Sequence, residues 1–257
     1  NTGTSPVSGT ITITPIFENG GKSCPGTSKT FTITVNPTGQ VNQPPDITVC
    51  NGATGSVNFS TINTGGSTSY YWTNDNPSIG LGSDGSGNIS FIAVNNGTLP
   101  VSATITVTPT FNFGSTDCPG PSKSFTIKVN PTPKLSSSLT PPDQCSNTVF
   151  SYNPTSLTPG TTFTWSRAPV AGITPAGPTS GVDNPNEILR NQTNIPIGVT
   201  YQYTLSAGGC DNIQNVIVNI KPEPVVVPGQ TYDICSGNIT NYHIELSNLI
   251  NVVDKIG

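Results

Sequence analysis

Residues 1–38 and residues 95–132 are two copies of one sequence. The offset is 94 residues, no gap is needed, and 25 of the 38 aligned positions are identical. VSGTITITPIFENGGKSCPGTSKTFTITVNPT (Val7 to Thr38) lies on VSATITVTPTFNFGSTDCPGPSKSFTIKVNPT (Val101 to Thr132). A fixed internal period makes the chain an array of one structural unit, and whatever one copy folds into the others must fold into as well. A weaker third copy follows. PPDITVC (Pro44 to Cys50) resembles PPDQC (Pro141 to Cys145) and TYDIC (Thr231 to Cys235), and YYWT (Tyr70 to Thr73) resembles FTWS (Phe163 to Ser166). The cysteine pairs Cys50/Cys145, Cys118/Cys210 and Cys145/Cys235 are offset by 95, 92 and 90 residues.

The period divides the chain into the C-terminal part of a repeat (1–43), a complete repeat (44–138), a second complete repeat (139–227) and the N-terminal part of another (228–257). This frame predicts a protein that starts and stops in mid-repeat and continues in both directions. Pro-rich stretches mark the junctions: Asn36 to Pro45, Asn130 to Pro142 and Lys221 to Gln230. Proline fixes φ and stiffens short linkers.

Within a repeat, apolar and polar residues alternate. Phe125, Ile127 and Val129 are separated by Thr126 and Lys128, and their copies Phe31, Ile33 and Val35 by Thr32 and Thr34. Tyr201, Tyr203, Leu205 and Val216, Val218, Ile220 continue the pattern. Period 2 is the mark of a strand with one buried face. Gly- and Pro-rich turns at Asn74 to Pro77, Gly82 to Asn88, Cys118 to Ser122 and Ala207 to Asn212 separate the runs. Short strands at this spacing predict an all-β fold of tandem immunoglobulin-like β-sandwich repeats of about 92 residues. The ambiguous stretch Asn241 to Val253 should begin with a strand by the same frame.

Charged residues make up 9% of the chain and the net charge is −4. Nine scattered Lys and Arg cannot supply the phosphate contacts on which nucleic-acid affinity rests. No apolar run reaches the roughly 20 residues of a membrane-spanning helix. A Ser–His–Asp triad needs a histidine, and the single one, His243, lies in the last part-repeat. The acids of the complete repeats sit mostly beside Gly, Pro or Asn, where turn formation accounts for them. The chain is therefore read as non-enzymatic, with no catalytic residue and no cofactor.

Each complete repeat owns one early and one late cysteine, Cys50 with Cys118 and Cys145 with Cys210. The repeat logic predicts two disulfides, Cys50–Cys118 and Cys145–Cys210, each closing a loop worth about 4 kcal/mol. Cys24 and Cys235 are left without partners. The rival reading is a metal site, but no CxxC spacing exists. Disulfides imply an oxidising compartment.

One succession of motifs is characteristic: the early Cys, the aromatic-x-Trp-(Ser/Thr) strand, Gly85 to Ile89, a Thr-rich strand ending Thr-Pro, Cys-Pro-Gly, and the close Val129 to Pro133. It resembles the PKD-like, immunoglobulin-like repeats of giant cell-surface adhesins of Bacteroidetes, including gliding-motility adhesins of the SprB type. The resemblance covers nearly the whole chain. It implies a secreted protein, exported by the type IX system and held at the outer-membrane surface. PKD domains of the better-known sort follow the Trp strand with Asp-Phe-Gly-Asp-Gly. Here Trp72 is followed by Thr-Asn-Asp-Asn-Pro and Trp165 by Ser-Arg-Ala-Pro-Val, so roles tied to that motif do not carry over.

Four further features bear on binding. Asp84-Gly-Ser86-Gly-Asn88 imitates the start of a calcium loop, but an EF-hand needs Glu at its twelfth position, here Asn95; a Gly-rich turn is the plainer reading. Trp72 and Trp165 belong in the core, where a sandwich Trp usually packs on a disulfide. Tyr71 points away from Tyr70 and Trp72 and is the better candidate for sugar contact. Lys29 and Lys123 hold one repeat position, before the last strand, where a solvated lysine outweighs an isopeptide bond. The expected role is a structural stalk advancing about 40 Å per repeat, whose partners are its neighbouring repeats and a surface polysaccharide. The alternative is a carbohydrate-binding or spacer module of a secreted polysaccharide-degrading enzyme.

Overall fold

The computed structural model describes residues 1–226 and 249–250. The chain forms two compact units, Asn1–Pro131 and Thr132–Gly257. His243, Cys235 and the start of the Asn241 to Val253 stretch lie outside the described residues.

The first unit opens with two hairpins. Strand β1 (Val7–Ile13) pairs with β4 (Lys29–Val35), and β2 (Ile16–Asn19) with β3 (Lys22–Pro25). The rest of the unit is a two-sheet sandwich. One sheet runs β5 (Ile47–Cys50), β12 (Lys123–Asn130), β10 (Val101–Phe113), β7 (Ser67–Asn74), β8 (Asp84–Ser86), with β11 (Thr116–Pro119) extending β10. The other pairs β6 (Thr54–Val57) with β9 (Ile89–Ile92). A 3₁₀ turn at Pro77–Ile79 seals one side and buries Ile79. The core forms because alternate residues of the long strands face inward. Ile105, Val107, Phe125, Ile127 and Val129 meet Val57, Ile89 and Phe91 from the opposite sheet. The edge strand β5 lies parallel to β12, and the other pairings of this sheet are antiparallel.

The second unit repeats the plan. Its main sheet runs β13 (Gln144–Cys145), β20 (Cys210–Lys221), β19 (Ile197–Ala207), β15 (Thr162–Arg167), β17 (Thr179–Val182). Its second sheet runs β14 (Thr148–Phe150), β18 (Glu187–Asn191), β16 (Ile173–Thr174). The parallel edge strand recurs, β13 on β20. A short pair follows, β21 (Val225–Val226) with β22 (Leu249–Ile250). Aromatic rings take more of this core. Phe150 and Tyr152 pack on Tyr201 and Tyr203, with ring centroids 5.1 and 5.4 Å apart.

The first two Pro-rich junctions are packed against the sandwiches that follow them. Val41 is buried in the first core, Gly39 donates to the Cys118 carbonyl at 3.0 Å and Asn42 to the Ser60 carbonyl at 2.8 Å. A Cβ on Gly39 would stand 2.6 Å from the Pro109 carbonyl oxygen, so only glycine allows that approach. In the second unit Leu135 packs on the core and its amide donates to Gln214 Oε1 at 2.6 Å, while Asn212 Nδ2 reaches the Pro133 carbonyl at 2.8 Å.

The two copies of the best-matched segment differ in cover. Ile105 and Ile127 are fully buried, whereas their copies Ile11 and Ile33 are 40% and 46% exposed. The strands that cover β10 and β12 have no counterpart over β1 and β4 among the described residues. Across both ladders hydroxyl pairs stand where other proteins place charges. Thr108–Ser122 (2.7 Å) repeats Thr14–Ser28 (2.7 Å), and Thr106–Ser124 (3.0 Å) and Ser8–Thr34 (2.8 Å) stand beside them.

Candidate functional site

The chemistry-bearing residues of each repeat gather at four places: a tryptophan against a glycine, an asparagine in a turn, a buried ion pair, and two cysteines at the ends of the ladder.

Trp72 lies on β7 opposite Gly85, and Trp165 on β15 opposite Gly181. Both indoles are buried, as their strand pattern predicts. What they pack on differs from the expectation. A Cβ built on Gly85 would meet Trp72 at 2.4 Å, and one on Gly181 would meet Trp165 at 2.9 Å. The ring therefore lies over the bare backbone of the neighbouring strand. The Gly85 stretch is thus a strand that receives an indole, and Asp84 sits exposed in that strand, opposite Thr73, bonded to the Ser83 hydroxyl. Among the described residues no cluster of three or more His, Cys, Asp or Glu could hold a metal ion.

An asparagine recurs in three copies that the sequence reading passed over. Asn95 Nδ2 donates to the carbonyls of Leu99 (2.9 Å) and Val129 (2.8 Å), and its Oδ1 accepts from the Gly97 amide. Asn191 does the same to Ile195 and Ile220, accepting from Thr193. Asn1 does it to Ser5 and Val35, accepting from Gly3. Each side chain closes the turn before a long strand and ties it to the last strand of the repeat. Asn-x-(Gly/Thr) at positions 1, 95 and 191 was the available signal.

The second unit buries an ion pair. Arg167, two residues after Trp165, is 1% exposed and contacts Glu187 through Nε at 2.8 Å and Nη2 at 3.1 Å. Tyr201 Oη and Thr179 Oγ1 also donate to Glu187. Desolvation pushes the Glu187 carboxyl up, but the hydrogen bonds from Arg167, Tyr201 and Thr179 outweigh it and hold the group below its ordinary range. Burial and the neighbouring carboxylate push the Tyr201 phenol far up. In the first unit Asn74 takes the place of Arg167 and donates to the Leu81 and Gly82 carbonyls instead. Exposed acids elsewhere cap strands: Asp46 accepts from the Thr126 amide and Asp75 from the Thr104 amide.

The cysteine pairing expected from the sequence does not form. Cys118 and Cys145 carry free thiols, as does Cys24, while Cys50 and Cys210 are disulfide-bonded. The ladder register explains why Cys50–Cys118 and Cys145–Cys210 are excluded. Cys50 lies opposite Asn130, next to the Val129–Val101 pair, whereas Cys118 lies opposite Phe111. Val101 and Phe111 are ten residues apart on β10, about 33 Å at about 3.3 Å per residue. A disulfide needs Cα atoms within about 7 Å. Cys145 opposite Lys221 and Cys210 opposite Ala207 stand at the two ends of the second sheet in the same way. The inter-sheet disulfide of antibody domains has no equivalent in either core.

Two other sequence candidates take ordinary places. Tyr71 is 52% exposed on the face of β7 opposite to Trp72, and Tyr70 packs on the core. Lys29 and Lys123 open β4 and β12, opposite Ile13 and Val107. No helix among the described residues is long and apolar enough to cross a membrane.

No family model and no curated protein matches the chain. Solved structures do. Extracellular domains 3–5 of Drosophila OTK align at 14% identity over 78% of this chain and 67% of that one, with a TM-score of 0.38. The insect immune protein hemolin aligns at 13% identity over 81% and 56%, TM-score 0.35. Sidekick-1 immunoglobulin domains 1–5 align at 12% identity over 85% and 48%, TM-score 0.35. The chain thus spans about half to two thirds of the length of these structures. The assignment itself comes from the strand plan. Strands β7, β10 and β12 share one sheet with the Trp on β7, and the second strand, β6, lies in the other sheet. The fold is immunoglobulin-like.

Proposed function

We propose that this segment is part of the structural stalk of a large, secreted, cell-surface adhesin, of the gliding-motility type that its motifs resemble. The observation that carries the reading is the packing of the first two Pro-rich junctions onto the sandwiches after them, through Val41 and Gly39 in one unit and Leu135 in the other. A junction folded into its domain makes each repeat one piece with its linker. The repeat frame 1–43, 44–138, 139–227 and 228–257 comes from the sequence period, and the junction residues Val41 and Leu135 join the sandwich after them. The disulfide-bonded Cys50 and Cys210 support an oxidising, extracellular setting, and export by the type IX system to the outer-membrane surface rests on the resemblance alone. The partners of such a stalk are further repeats of the same chain. Single-molecule stretching of the chain with its disulfides reduced tests the reading. Discrete unfolding steps of about 90 residues each, near 300 Å of released contour at roughly 3.3–3.6 Å per residue, are expected. A smooth extension without steps overturns it.

A second reading, a polysaccharide-binding or spacer module of a secreted enzyme, is favoured by one observation, the exposed ring of Tyr71. Retention on an insoluble polysaccharide that Tyr71→Ala abolishes supports this reading, and passage of the unaltered chain through the column removes it.

A further inference from the structure

The two cysteines of a repeat occupy fixed points of the fold. Cys118 lies opposite Phe111, four residues beyond Val107, the partner of Trp72. Cys210 lies opposite Ala207, four residues beyond Tyr203, the partner of Trp165. Cys50 and Cys145 lie opposite Asn130 and Lys221, each one residue past the last pair of the central ladder, Val129–Val101 and Ile220–Ile197. The positions coincide between repeats although the sequence offsets differ. One member of each equivalent set is oxidised and the other is a thiol: Cys50 and Cys210 are bonded, Cys145 and Cys118 are free. The register allows no bond between the two cysteines of one repeat, since they stand at opposite ends of its ladder.

We propose that Cys118 and Cys145 are linkage sites, open positions that each accept a cysteine of another repeat of this type. The inference rests on the stalk reading only for the setting, since the chemistry stands on the register. Cys145 is exposed and Cys118 is partly exposed on the hairpin that extends β10, so neither site has to unfold to react. The step is thiol–disulfide exchange with a small-molecule disulfide. A thiolate of one repeat attacks it, releasing one thiol, and the thiolate of the second repeat attacks the mixed disulfide, releasing the other. Two protein thiols lose two electrons and two protons in all, and the oxidant becomes two thiols.

The test uses the whole chain, equilibrated with glutathione and its disulfide and digested without reductant by a protease that cleaves before Asp. Asp46, Asp75, Asp117, Asp143, Asp183, Asp211 and Asp233 then place all six cysteines on separate fragments. The expected result is that fragments carrying Cys118 and Cys145 become linked to fragments from other repeats, and that Cys118→Ser and Cys145→Ser each remove their own link. Mixing ¹⁵N-labelled with unlabelled chain separates the sources. Heavy–light hybrid pairs show linkage between copies, and unmixed pairs show linkage within one chain. Either result supports the proposal. It is overturned if 46–74 links to 117–142, if 143–182 links to 183–210, or if Cys118 and Cys145 are recovered only as glutathione adducts.

Discussion

Asn95, Asn191 and Asn1 each satisfy one turn carbonyl and one strand carbonyl with a single amide, a job that no charged side chain could do without stranding its charge. Asn95→Ala removes both donors and is expected to destabilise the first sandwich by about 2–4 kcal/mol, two hydrogen bonds plus the penalty for buried carbonyls left bare. Urea unfolding of the variant measures it, with Asn96→Ala next door as the control for a surface change. Gly85 and Gly181 are the second residue-scale constraint. Gly85→Ala places a methyl group inside the indole of Trp72 and is expected to cost about 1–3 kcal/mol, read from the same unfolding curves. A mild effect there would mean that the ring has room to tilt. The buried pair of the second unit sets a pH dependence. The folded carboxyl of Glu187 lies below its unfolded value of about 4.3. Its contribution is therefore complete above that value and is lost as pH falls through the folded one. Thermal melts taken from pH 7 down to pH 3 should show the second unit weakening below about pH 4. The double variant Arg167→Met/Glu187→Leu should flatten that dependence, since an apolar pair of similar volume replaces buried ions at little cost.

At the scale of elements, the period-2 alternation of Phe125, Ile127 and Val129 was enough to place β12 and its inward face, because one buried side is what that pattern means. The stretch Asp84–Ser86 was not legible in the same way. Asp, Gly and Ser are turn formers on composition, and only the indole lying across Gly85 makes a strand there reasonable. The cysteines were misread for a related cause. Early and late positions in sequence say nothing about which end of a ladder each occupies, and a parallel edge strand puts Cys50 at the end remote from Cys118. The duplicated segment offers a controlled comparison at this scale. Strands β4 and β12 have nearly the same sequence, but among the described residues only β12 is covered by a second sheet. Hydrogen exchange should therefore find the amides of 29–35 exchanging orders of magnitude faster than those of 123–130, since protection follows burial and cooperative opening rather than sequence. Equal protection in the two segments would show that β1 and β4 have found a cover in solution.

For the whole molecule, the 94-residue repetition carried the most information, and it did so without any individual residue being understood. It predicted one plan used more than once, and the two units share strand order, a parallel edge, the asparagine in its turn and the tryptophan on its glycine. The limits of the repeats were less visible. The Pro-rich junctions read as linkers by composition, yet Val41 and Leu135 are core residues of the sandwiches they precede. Proline and glycine mark where the chain turns, and they do not say whether the turn is left in water.

The cross-strand hydroxyls of Ser8, Thr14, Thr106 and Thr108 have one more effect. Among the described residues the exposed ion pairs are Arg190–Glu223 and Lys221–Asp143, both at 3.6 Å. Such pairs contribute about 0–1 kcal/mol and are screened as salt rises. Nearly everything else that fastens these surfaces is neutral, so dissolved ions find little to shield. The same length of chain would hold together alike in rain, river and brine.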